Sequence, residues 1–122
     1  MGLSVEALRA LIEAKPGATV DDVASAPGAA MHKVFGKMFA ILATRRDPYV
    51  ILKCDPHLAE ILREQYAGVG HKSHLDRRFW IAVTLDSDVP ADEIARLVDQ
   101  SYDLVAATLT RKQKAELATL AD

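Results

Sequence analysis

The cations of this sequence are its most chemically suggestive residues, and they come in runs. Residues 31–46 hold Lys33, Lys37, Arg45 and Arg46 and no acidic residue. Residues 71–80 hold His71, Lys72, His74, Arg77 and Arg78 and end on Trp80. Lysine and arginine on loops beside a sheet can grip nucleic-acid phosphates, and a nearby tryptophan can pack on a sugar or base. His71 and His74 could also be metal ligands, but Asp76 is the only third donor close by, and a zinc site needs three or four. A polar loop facing phosphate is the better reading, and no metal or cofactor is expected. Cys54 would need a base and a lowered pKa to act as a nucleophile. Its neighbours Lys53 and Asp55 would point to the other face of a strand, so an inert thiol is expected. No nucleophile elbow, P-loop, dinucleotide fingerprint or paired-carboxylate pattern is present, which argues against an enzyme.

The chain has 122 residues, half of them apolar and 26% charged, the balance of one globular domain over residues 1–122. A chain of this length can bury a core without disulfides or metal. No apolar run approaches the roughly 20 residues of a membrane span, and no signal peptide is visible. A single cysteine excludes an internal disulfide and fits a reducing cytoplasm. The net charge is −2, which is unusual for a protein that lives by phosphate contacts. The distribution matters more than the sum. Residues 31–46 carry +4, residues 71–85 carry +2, and residues 86–103 carry −5.

The elements that must position these groups can be read from periodicity. Val5, Leu8, Leu11 and Ile12 predict a helix over residues 4–15 with Ser4 as N-cap, stopped by Pro16 and Gly17. Residues 18–23 fit an edge strand. Met31 to Phe35 and Lys37 to Ala43 flank Gly36 as a hairpin, and Tyr49 to Leu52 is a third strand. The loop between them, residues 44–48, puts Arg45 and Arg46 at an exposed tip. Asp55 and Pro56 open a helix with Leu58, Ile61, Leu62 and Tyr66 on one face, ended by Gly68 and Gly70. Phe79 to Leu85 reads as a strand with Phe79, Ile81, Val83 and Leu85 inward. Pro90 opens a long helix with Ile94, Leu97, Val98, Ser101, Leu104 and Val105 as its buried stripe. Thr110 and Gln113 form a capping box for a last helix. Short hairpins make antiparallel pairs, and one-sided helices bury their stripe most simply on one sheet face. The expected fold is an α+β two-layer sandwich.

Several motifs in order carry a family resemblance. They are Gly36-Lys-Met-Phe39, Lys53-Cys-Asp-Pro56, Leu62-Arg-Glu-Gln65, His74-Leu-Asp-Arg-Arg-Phe-Trp80, Val89-Pro90 and Ser101-Tyr-Asp-Leu-Val105. From about residue 3 to residue 118 the chain resembles the MmcQ/YjbR family of small bacterial proteins. The resemblance implies an antiparallel sheet with helices on one face, similar to type III secretion chaperones. It also implies a DNA-binding role described as a double wing. Carried over by position, it points to Lys37, Lys53, His74, Arg77, Arg78 and Trp80. Phe79 stands where relatives often have His or Tyr, which removes one polar group there.

Three functions are open at this point. In the first, the protein is non-catalytic and binds double-stranded DNA. Lys33, Lys37, Arg45 and Arg46 reach phosphates from the wings, Lys53, His74, Arg77 and Arg78 extend the patch, and Trp80 packs on a sugar or base. The acidic helix after Pro90 would face away. In the second, the chain is a protein-interaction or chaperone-like module for a protein partner. In the third, Cys54, His74 and Trp80 line a small-molecule pocket.

Overall fold

Ser4 opens the first helix: its Oγ accepts from the Ala7 N–H at 3.1 Å, meeting one of the donors a helix start leaves free. In the computed structural model, which describes residues 3–120, this helix α1 runs Val5–Glu13 and buries Leu8 and Ile12 one turn apart. Four strands follow: β1 (Ala18–Asp22), β2 (Ala29–Val34), β3 (Lys37–Ala43) and β4 (Tyr49–Lys53). Then come α2 (Pro56–Gln65), the two-residue β5 (Val69–Gly70), β6 (Trp80–Thr84), α3 (Ala91–Ala106) and α4 (Arg111–Leu120). All neighbouring strands pair antiparallel in the order β1-β2-β3-β4-β6-β5. The α+β sandwich expected from the sequence is the fold observed.

Local chemistry sets the joints. Phe35 and Gly36 join β2 to β3 with both φ angles positive, 48° and 78°, the backbone of a tight hairpin turn whose twist matches the strands. Asp55 caps α2 through Oδ2, which accepts from the N–H groups of His57 and Leu58 at 3.0 and 3.1 Å. Thr110 and Gln113 exchange reciprocal 3.1 Å bonds at the start of α4.

Strand alternation sends one set of side chains toward the helices. That set includes Val34, Leu42, Val50, Leu52, Ile81 and Val83, all buried. A register shift between His32 and Lys33 pairs them with Ala40 and Met38, leaving Phe39 as an extra residue. Phe39 and Ala40 are therefore both buried, and Phe39 meets Tyr102 edge-on with ring centroids 5.3 Å apart. Helix α3 packs on β3 and β4, α1 on α3 and β1, and α2 on β5 and β6. One core cluster joins these helices to one face of the sheet. Ser101 on α3 stitches the layers together, donating to the Phe39 carbonyl at 2.6 Å and accepting from the Lys53 N–H at 2.9 Å.

Four local expectations need correction. The buried stripe of α3 is Ile94, Leu97, Val98, Ser101, Tyr102 and Val105, whereas Leu104 is 38% exposed. Leu104 and Tyr102 flank the stripe on opposite edges, and it is the Tyr102 edge that packs against Phe39. In α2 the buried residues are Ala59 and Leu62, and Ile61 is exposed. Phe79 stands outside β6 because residues 76–79 form a turn, in which Asp76 O accepts from the N–H groups of both Phe79 and Trp80. Gly70, read as a helix stop, belongs to the outermost strand β5.

Candidate functional site

The sheet face opposite the helices carries the other half of each strand. One cross-strand row is Met31, Ile41, Ile51 and Ala82. Toward one end Tyr49 pairs with Ala43 and Thr84, and toward the other Lys53 pairs with Trp80. Lys33 is on the same face, two residues from Met31, with its ammonium 3.2 Å from Asp21. A groove of about 590 Å³ runs over this face. Met31, Ile41, Ile51 and Tyr49 form its floor, Val23, Ser25 and Ala26 one wall, and residues 71–74 the other. Lys72 Nζ sits 4.9 Å from the Tyr49 ring centroid, a cation on an aromatic face.

Of the expected cationic residues His74 lines the groove, and others stand beyond it on the same face or at its hairpin end. Arg45 and Arg46 are exposed on the hairpin beyond Tyr49, and Arg46 has a φ of 58°. The Arg45 stem lies across Gly28, where a Cβ would come within 2.3 Å of Arg45 Cγ, so only glycine leaves it room. His74 is exposed in the second wall. Lys53 and Trp80 are half-buried at the far end. Four residue steps separate Tyr49 from Lys53, so the two cationic ends stand about 13 Å apart along the strand. Lys33, Lys53, His74 and Trp80 thus belong to one face, with Arg45 and Arg46 exposed on the hairpin at its end.

The remaining three lie elsewhere. Lys37 reaches the helical layer, where Nζ donates to Thr108 O at 2.9 Å and Thr108 Oγ1 at 3.1 Å. Its charge caps the chain just past α3, where a helix end favours a cation. Arg78 forms a fork on Asp76, with Nε and Nη2 donating at 3.1 and 2.8 Å. Those bonds hold the Asp76 carboxyl down at about 2. Arg77 lines a separate cleft of about 350 Å³ with Arg63, Glu60 and Glu64.

Cys54 lies in the core among the helices, 3% exposed. Burial, with Asp55 adding to it, pushes its thiol up to about 11, which makes it a poor nucleophile. His74 and Trp80 belong to the opposite side of the sheet, so the three-residue pocket is not formed. Among the described residues no cluster of three His, Cys, Asp or Glu side chains could hold a metal ion. The acidic residues Asp92, Glu93, Asp99 and Asp103 ride on α3, on the layer away from the groove. Among the described residues no helix is long and apolar enough to cross a membrane.

Two functional features escaped the sequence reading. Arg63 Nη2 donates to the carbonyls of Arg77 and Trp80 at 2.6 and 3.0 Å, so α2 fixes the turn that leads into Trp80. The groove floor was also missed, although its signal was present. Residues 38–43 and 50–52 are apolar without alternation, so each strand must present apolar side chains on both faces.

A protein-family model described as YjbR matches residues 13–104. The Escherichia coli (strain K12) protein YjbR is 36% identical over 108 residues, 88% of this chain and 91% of that protein. YbdF of Escherichia coli O157:H7 is 24% identical over 85 residues, 69% of this chain and 70% of that one. Among solved structures, Deinococcus radiodurans DR2400, with a domain described as DUF419, superposes with a TM-score of 0.84 at 30% identity, covering 94% of this chain and 88% of that one. A Pseudomonas syringae protein superposes at 0.73 and 22% identity, covering 84% and 99%, a likeness of fold.

Proposed function

We propose that this chain, which belongs to the YjbR family, is a non-catalytic protein that binds DNA by its phosphates on the helix-free face of its sheet. The observation that supports this reading is the cations that separate segments bring to that face and its hairpin end: Lys53 from β4, Lys72 from the loop before β6, Lys33 from β2, where it pairs with Asp21, and Arg45 and Arg46 on the exposed hairpin. The acidic side chains of α3 sit on the other layer, so a net charge of −2 does not repel a polyanion from the groove side. Among the described residues no helix projects from the cationic face to enter a major groove. Binding should therefore be phosphate-dominated and indifferent to base sequence.

The experiment is a fluorescence-anisotropy titration with labelled duplex DNA at 50 and 200 mM salt. Four to five phosphate contacts give a salt slope of about −4, so affinity should fall roughly 10²–10³-fold between those salts. No binding of either duplex or single-stranded DNA at 50 mM, or a flat salt response, would overturn the reading.

A second reading, a protein-interaction module, is favoured by one observation. An apolar cleft of about 470 Å³ on the helical layer is lined by Leu58, Leu104 and Ala107, with Asp55 and Asp103 beside them. A stoichiometric protein partner retained without nucleic acid, and released on Leu104→Lys, would favour it.

A further inference from the structure

We propose that the groove on the open sheet face accepts unpaired bases, so that the DNA held there is single-stranded. This inference rests on the phosphate-binding reading and names its substrate class. A duplex keeps its bases stacked and offers a protein surface mainly sugars and phosphates. Cations alone would serve that purpose, yet the floor between them is Met31, Ile41, Ile51 and Tyr49. Setting phosphates over such a floor would strip water from charge with nothing in return. A splayed base brings an apolar π-face that suits the floor, while its backbone stays at the rim among Arg45, Arg46, Lys53 and Lys72. The groove, about 590 Å³, lies in the range of small-ligand sites.

Two aromatic rings mark the path. Tyr49 lies at the hairpin end and Trp80 at the Lys53 end of the same face. The Tyr49 ring is covered by the ammonium of Lys72, which is itself on an exposed residue. An exposed cation–π contact is weaker than base–aromatic stacking. Lys72 can therefore swing to a phosphate and yield the ring to a base, keeping its charge in the complex. Ser25, Ser73, His71 and His74 in the walls offer hydrogen-bonding groups to base edges without a fixed pattern.

The test uses the full chain and two labelled probes at 50 mM salt, a 12-nucleotide oligo(dT) and a 12-base-pair duplex of mixed sequence. The oligo(dT) should bind at least tenfold more tightly than the duplex and should quench Trp80 fluorescence. Tyr49→Leu keeps apolar bulk but loses the π-face, and should weaken oligo(dT) binding at least fivefold while leaving duplex binding unchanged. Should Tyr49→Leu fail to fold, the quenching of Trp80 by oligo(dT) but not by duplex is the independent readout. A duplex bound as tightly as oligo(dT), with no quenching by either, would overturn this inference and leave phosphate binding standing. Failure of both probes to bind would overturn both readings and leave the groove to a peptide.

Discussion

Replacing His32 by leucine should stabilise the protein and blunt its response to acid. His32 lies on the inner face of β2, opposite Val20 and Ala40, and is 1% exposed. Neither ring nitrogen has a hydrogen-bond partner among the described residues. A neutral imidazole carries one donor and one acceptor, and leaving a buried polar group unmet costs about 1–3 kcal/mol. Leucine has neither group, and imperfect shape would return less than about 1.5 kcal/mol. A net gain of about 1–2 kcal/mol is expected at pH 8. The acid response has a definite sign. Burial is the largest influence on His32 and lowers its pKa, against an opposing pull from Glu13 and with help from Arg9. The unfolded chain, titrating near 6.5, then takes up a proton that the folded chain resists. The stability is full well above pH 6.5 and is lost as pH falls below it. This loss grows as pH falls below about 6.5, and His32→Leu should be spared it. Urea unfolding at pH 8 and pH 5, for both proteins, measures this directly. A variant that is less stable at pH 8 and keeps the wild-type change between the two pH values would refute the reasoning.

Other perturbations follow from the same geometry. Arg45→Ala with Arg46→Ala removes two of about five phosphate contacts, so the salt slope of DNA binding should shrink by about 2, read by anisotropy. Unchanged binding would remove the hairpin from the interface. Ser101→Ala leaves the Phe39 carbonyl and the Lys53 N–H unpartnered where the side chain is fully buried, and should cost about 2–4 kcal/mol in urea unfolding. Cys54 should resist a thiol reagent at pH 8 in the native protein and react with one equivalent after unfolding.

Much of the fold was legible because its signals are local. Ser4, Asp55 and Thr110 cap the helices they were expected to cap, and Gly36 sits at positive φ between two strands. The alternation of Trp80, Ala82 and Thr84 against Ile81 and Val83 also held. What stayed hidden depends on pairing between distant segments. The bulge at Phe39 shows only when β2 lies beside β3. Nothing near Lys37 in the chain says that its charge is spent on Thr108, whereas the partner of Arg78, Asp76, stands two residues away. Basic residues that are neighbours in sequence were thereby sorted to different sides of the molecule. Lys33 and Lys53, far apart in sequence, came to the one sheet face whose groove Lys72 lines.

Where DNA touches this protein can be mapped residue by residue from backbone amide NMR signals as oligo(dT) is added at 50 mM salt. The account predicts shifts at Met31, Lys33, Ile41, Arg45, Arg46, Lys53 and residues 71–74, with α3 silent. Shifts centred on Leu104 and the rest of α3, or none anywhere at saturating oligonucleotide, would contradict it.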